Sequence, residues 1–181
     1  MRPFPFVVLL LSGCSVVDAP YPIAWDLPAP APSNDCRRFE GIYADRGEAP
    51  GQAAEPSLTR ELFGADSPWQ HAKTVQLKLV SDTEAEVTVQ GGKALSHRFS
   101  AKAGDFQCEG GTLTLRHRRW VTSDLMSGRE TVRIRLHAAD PYLTAHVFEA
   151  TTGVMFMVVP LSGESARWYR FRRLAANEHR R

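Results

Sequence analysis

The sequence predicts a mainly β protein: an antiparallel meander or barrel-like sheet of about eight to nine strands with one short helix. Two observations carry that prediction. From residue 74 onward, apolar residues alternate with polar ones, the period of a strand with one buried face. The alternating runs are short and separated by glycine pairs and other tight-turn residues, which favours strands joined by hairpins.

Taken in order, RRFEGIYAD (37–45) reads as a first strand, with Phe39, Gly41 and Tyr43 in phase. A loop with Gly47, Pro50 and Gly51 follows. SLTRELFG (57–64) reads as the one substantial helix. Ser57 is its N-cap, Leu58, Leu62 and Phe63 form an apolar face, and Gly64 suits a left-handed C-terminal position. Val75, Leu77 and Leu79 then alternate with Thr74, Gln76 and Lys78, and Ala85, Val87 and Val89 define the next strand. Gly91-Gly92 reads as a hairpin turn. Leu95 with Phe99, and Leu113 with Leu115 after Gly110-Gly111, mark two more strands. Val132, Ile134 and Leu136 alternate with Arg133, Arg135 and His137. Residues 142–150 and 153–159 read as two strands joined through Thr151, Thr152 and Gly153. VMFMVV (154–159) is apolar on both faces, so that strand is expected to be covered on both sides. RWYRFRR (167–173) is the last strand. A calycin-like barrel or a curled sheet with one helix fits this order, and no propeller-type repeat is present.

With 181 residues the chain suits one domain plus extensions. Its 22 Lys+Arg against 20 Asp+Glu, a net charge of +2, give no global reason to expect nucleic acid. No apolar run reaches the roughly 18 to 20 residues needed to span a bilayer as a helix.

The N-terminus carries a different signal. Arg2 supplies a positive charge, Phe4 to Leu11 form a short apolar run interrupted by Pro5, and Ser12 and Gly13 lead to Cys14. This is the layout of an export signal. Leu11-Ser12-Gly13-Cys14 resembles the lipobox of bacterial lipoproteins. The resemblance implies cleavage before Cys14, a diacylglyceryl group on its sulfur, and an acyl chain such as palmitate on the new amino group. Several acyl chains anchor a protein stably where one does not. Ser15, where an Asp would imply retention at the inner membrane, implies the outer membrane, periplasmic side. The stretch from Cys36 through FEGIY to SLTRELF is also similar to the start of small uncharacterised lipoproteins of proteobacteria, which implies no activity. Gly41-x-Tyr43 is similar to the Gly-x-Trp of lipocalins, with Tyr in place of Trp.

The chain therefore divides into a signal peptide (1–13), a lipidated cysteine with a Pro-rich tether (14–35), and a single β-rich domain (36–181). Prolines 20, 22, 28, 30 and 32 exclude a helix from the tether and favour polyproline II. Extended, it reaches on the order of 60 Å as a semi-rigid stalk. Tyr21, Ile23, Trp25 and Leu27 offer the alternative of a docking segment, on this domain or on a partner. Once Cys14 is lipidated, Cys36 and Cys108 remain. In an oxidising compartment they are expected to pair; the alternatives are a metal or a reactive thiol, although neither cysteine sits in a CxxC motif.

No strong catalytic motif is present: no GxSxG, HExxH, P-loop or SxxK. No cofactor or metal is expected. His97 is in phase with Leu95 and Phe99, and His117 with Leu113 and Leu115, so both are expected to point inward, as satisfied histidines or toward a ligand. The arginines are more suggestive. Arg116 and Arg118 share a face with Trp120, Arg133 and Arg135 point away from the apolar face, and Arg170 and Arg172 share a face with Trp168. If those strands are neighbours they form a basic, aromatic stripe suited to an envelope protein's acidic surface or to anionic lipid. Otherwise they are a solvated face. The sequence thus points to a non-catalytic binding or envelope-assembly role. The alternatives are a small-ligand or lipid carrier with a barrel cavity and, third, an unrecognised hydrolase.

Overall fold

The computed structural model describes residues 16–17, 19–25, 35–53, 55–64, 72–91, 94–123, 125–156 and 159–175. Cys14 and Gly92 lie outside them. The chain folds into one mainly β domain. Its strands are β1 (Val16–Val17), β2 (Gly41–Ala44), β3 (Thr74–Ser81), β4 (Glu84–Gln90), β5 (Leu95–Ser100), β6 (Phe106–Glu109), β7 (Thr112–Thr122), β8 (Met126–Ala139), β9 (Tyr142–Met155) and β10 (Val159–Leu174). Helix α1 spans Leu58–Phe63. The sheet order is β5-β4-β3-β2-β10-β9-β8-β7-β6, all antiparallel, and β1 pairs separately with β10 in parallel. The chain thus meanders outward twice from a seam where the first strand of the meander, β2, meets the last, β10. The sheet stays open: β5 and β6 are its edges, joined by a short 3-10 turn at Ala101–Ala103.

One apolar cluster joins both arms of the sheet. It takes Val75, Val87 and Phe99 from one arm, Leu115, Ile134 and Val147 from the other, and Leu58 and Leu62 from α1. Both arms bury the same face, which is why period two was so regular. The helix is placed by a buried carboxylate. Asp45 accepts from Thr59 N (2.8 Å) and from Ser57 Oγ (2.8 Å), while the Ser57 side chain accepts from Arg60 N. Cys36 and Cys108 form a disulfide with Cα atoms 6.2 Å apart, an ordinary separation that ties edge strand β6 to the domain's first turn.

Four details of the sequence reading are corrected. Residues 36–39 form a 3-10 turn capped by Asp35, so β2 begins only at Gly41. A short strand, β6, occupies Phe106–Glu109, where the sequence reading places none. The expected break at 151–153 is absent: β9 runs unbroken to Met155. Gly153 faces Gly128 across the β8–β9 pair, and a Cβ there would lie 2.5 Å from Ser127 O, so this glycine serves close approach and not a turn. Finally, the described part of the VMFMVV region is not covered: Val154, Phe156 and Val159 are all exposed, and Met157 and Val158 lie outside the described residues.

Candidate functional site

Strand register assembles part of the predicted stripe. On the face opposite the core, Arg116 lies directly across from Arg133. Two residues along on the same face, Thr114, Arg135, His146 and Trp168 line up across β7, β8, β9 and β10. The His146 ring stacks on Trp168 at 4.2 Å with planes 9° apart, and His137 lies 6.0 Å from the same indole. Arg133 packs over the Phe148 ring at 5.5 Å. Arg116 donates from Nη2 to Gln107 (3.1 Å), which in turn donates to Glu109 (2.7 Å). The Nε atoms of both Arg116 and Arg133 are buried without a hydrogen-bond partner. Among the described residues, no ion pair involves Arg116, Arg133 or Arg135. Burial lowers the pKa of His137, and His146, Arg38 and Arg135 lower it further, so it stays neutral at pH 7.

The N-terminal segment supplies the wall of this site. Its described part does not stand off as a stalk but lies on the domain. Trp168 donates its indole N–H to Ala19 O (2.8 Å), and Tyr21 packs edge-on against Trp168 at 4.8 Å. Farther along, the Arg170 guanidinium sits between the Trp25 and Tyr142 rings, at 5.0 and 4.6 Å. Between segment and sheet runs a groove of about 640 Å³, floored by Arg116, Arg133, Arg135, His137, His146 and Trp168.

The other predicted residues lie elsewhere. Arg170 is paired with Glu48 at 2.6 Å and is thereby committed. Arg172 lies opposite Tyr142 near the seam. Arg118 and Trp120 share the outer face but sit toward the β7–β8 turn, with Trp120 66% exposed. His97 is exposed on edge strand β5, its ring edge-on to Phe99 (4.7 Å) and Phe63 (5.6 Å). His117 does face inward, but into a cavity that His97 does not line.

That inner cavity, of about 220 Å³, is polar, and sequence reasoning missed most of it. Arg119 pairs with Glu130, directly opposite on β8, and Arg167 pairs with Glu149. Nε2 of His117 donates to the carbonyl of Glu61 on α1 (2.9 Å), the only role a carbonyl partner allows. Burial lowers the pKa of His117, an effect this hydrogen bond opposes and Arg119 reinforces. Burial pushes the Glu61 carboxyl up to about 7; Arg167 opposes the shift and Glu149 adds to it. The usable signal was hairpin register: Arg119 and Glu130 flank the β7–β8 turn at matched distances. Among the described residues, no group of His, Cys, Asp or Glu is placed to hold a metal ion, and no helix is long and apolar enough to cross a membrane.

Set beside known proteins, the chain matches no family model, no curated protein and no solved structure.

Proposed function

We propose that this is a lipid-anchored binding protein of the bacterial envelope, without catalysis, whose outer groove holds an acidic segment of another envelope protein. The Arg116–Arg133 pair carries this reading. Like charges directly across a strand pair destabilise a sheet, and a buried, unpartnered donor costs about 1–3 kcal/mol. Here both occur together, with no carboxylate paired to either guanidinium among the described residues. A bound carboxylate relieves both penalties, because each guanidinium is a planar fork matched to it. The stacked His146 and Trp168 rings add an apolar floor beside the charges.

Anchoring rests on the sequence. The lipobox ending at Cys14 supports acylation, and Ser15 supports the outer membrane with the domain on the periplasmic side. Replacing Cys14 by Ser should abolish incorporation of labelled palmitate; continued labelling would refute the anchor. The groove is tested by titrating the protein with hexaglutamate and following tryptophan emission. Binding should weaken as salt rises, and the triple change Arg116→Ser, Arg133→Ser, Arg135→Ser should weaken it at least about tenfold. Equal binding by the triple variant would overturn the reading, and salt-sensitive binding only to anionic vesicles would assign the groove to lipid instead.

The inner cavity favours a second reading. Glu61, near neutrality, faces a cleft shared with His117 and Glu149, a setting suited to acid–base chemistry. Hydrolysis of a generic ester or glycoside that disappears in Glu61→Gln would support it. The carrier reading finds less support, because both described cavities are lined by charged groups.

A further inference from the structure

The ends of β7, β8, β9 and β10 form a blade whose apolar side chains have no cover among the described residues. Leu125 is 56% exposed, Phe156 59%, Val159 45% and Val154 41%. These residues belong to one edge. The Phe156 N–H donates to Leu125 O (2.8 Å), tying the β9–β10 turn to the β7–β8 turn, and Met126, Met155 and Val159 are neighbours in register. Exposed Trp120 stands just behind, opposite Arg129. Phe156 holds a left-handed backbone at φ 52°, an uncommon conformation for a bulky residue, at the start of the β9–β10 turn. Asp124, in the β7–β8 turn, lies outside the described residues.

The N-terminal strand bears on what this edge faces. β1 runs parallel to β10 with Val16 opposite Glu164, so reading β1 backwards leads toward Val159 and the blade's end. Cys14 is two residues before Val16, and two residues span at most about 7 Å. Val159 is five residues before Glu164, on the order of 17 Å along β10. The residue expected to carry the acyl chains is thus held within about 7 Å of Val16, a reach that leaves it free to lie toward the apolar end of β10. A tip apolar on both sides, with an aromatic and an arginine behind it, matches a bilayer's interface, where Trp and Arg sit at the headgroups and aliphatic groups lie deeper.

We propose that the β7–β8 and β9–β10 turns insert Leu125, Phe156 and Val159 into the membrane that holds the Cys14 anchor, standing the strands upright on the bilayer. The inference rests on the lipoprotein reading for the identity of the membrane. It also gives the groove its position, since Trp168 is nine residues from Val159, on the order of 30 Å above the lipid.

The test uses the full chain, isolated from its own membrane and reconstituted into phosphatidylcholine vesicles with brominated acyl chains. The bromines should quench a component of tryptophan emission that is missing in Trp120→Phe. Phe156→Ser with Val159→Ser should remove most of that quenching, since each lost apolar group weakens partition roughly tenfold. The quenching should persist at high salt. Absence of a quenched component from Trp120 would overturn the proposal. So would a stable dimer whose formation depends on Phe156, which would assign the blade to a second copy. Mass spectrometry of the same sample reads the anchor separately. Acylated Cys14 with unquenched Trp120 defeats the blade alone, and quenched Trp120 without acyl chains defeats the anchor alone.

Discussion

The two faces of the sheet use arginine in opposite ways. On the core-facing side, Arg119 and Arg167 are each paired with a glutamate from a neighbouring strand. On the outer side, Arg116, Arg133 and Arg135 cluster without an acidic partner among the described residues, and two of them confront each other. Strand β7 supplies one residue to each set: Arg116 and Arg119 lie three positions apart on it and so face opposite sides. Only parity differs. The inner set is consumed by folding, whereas the outer set is left for a ligand. This predicts that inner changes cost stability, whereas outer changes cost binding.

The largest effect should come from a change that disturbs both faces. Reducing Cys36–Cys108 opens a covalent loop of 72 residues. The chain-entropy estimate for such a loop is about 4 kcal/mol. It should also loosen β6, which carries Gln107 and Glu109 at the groove's rim. Urea melts with and without reductant measure the first effect, and hexaglutamate titration the second. If reduction leaves the midpoint unchanged, the disulfide does not clamp the fold.

Next comes Glu61. Its folded pKa, about 7, lies above its ordinary 4.5, so the folded state holds this proton more tightly than the unfolded chain. Its burial carries no penalty below pH 4.5. Stability is lost as pH rises from 4.5 through 7, and the loss is complete above that. A shift of this size corresponds to up to roughly 3 kcal/mol. Glu61→Gln should therefore be more stable than the native protein at pH 8, with the advantage gone at pH 4. His117 acts in the opposite sense: its lowered pKa reduces stability as pH falls below its ordinary 6.5. Comparing the two proteins at each pH isolates the Glu61 contribution. An advantage that does not change with pH would contradict the assignment.

Glu130→Gln should cost about 2 kcal/mol, because it leaves half-buried Arg119 without its counter-charge. Of the outer counterparts, Arg135→Ser should change stability by no more than about 0.5 kcal/mol, and Arg133→Ser should raise it by about 1 kcal/mol, because it removes the charge facing Arg116 and an unpartnered buried donor. Thermal melts of these variants rank the two faces. Equal losses would erase the distinction between them.

Much of this architecture was legible because the core is one-sided. In β3, β4 and β8 alternate residues such as Val75, Leu77, Ala85, Val87, Val132, Ile134 and Leu136 enter the same cluster, so period two survives in the sequence. The Ser57–Gly64 helix was legible for a local reason: its cap and its stop are single residues with distinct chemistry. The errors share a different cause. Gly153 is shaped by Gly128 on another strand, and a glycine reserved for close approach looks the same in sequence as one reserved for a turn. VMFMVV is apolar on both faces, and sequence does not say whether the cover is protein or another phase. Outward arginines were identifiable by parity. Which of them are spent was not, since Glu48, the partner of Arg170, lies 122 residues away. The tether's aromatics were recognised, but their docking on Trp168 and Arg170 depends on tertiary placement.

The contrast between the two faces is tested most directly by NMR of the side-chain N–H groups while hexaglutamate is added. The Trp168 indole and the guanidinium Nε–H signals of Arg116 and Arg133 should shift together and saturably, while those of Arg119 and Arg167 stay fixed. Shifts confined to Arg119 and Arg167, with Trp168 unmoved, would place the binding site in the inner cavity and contradict the account.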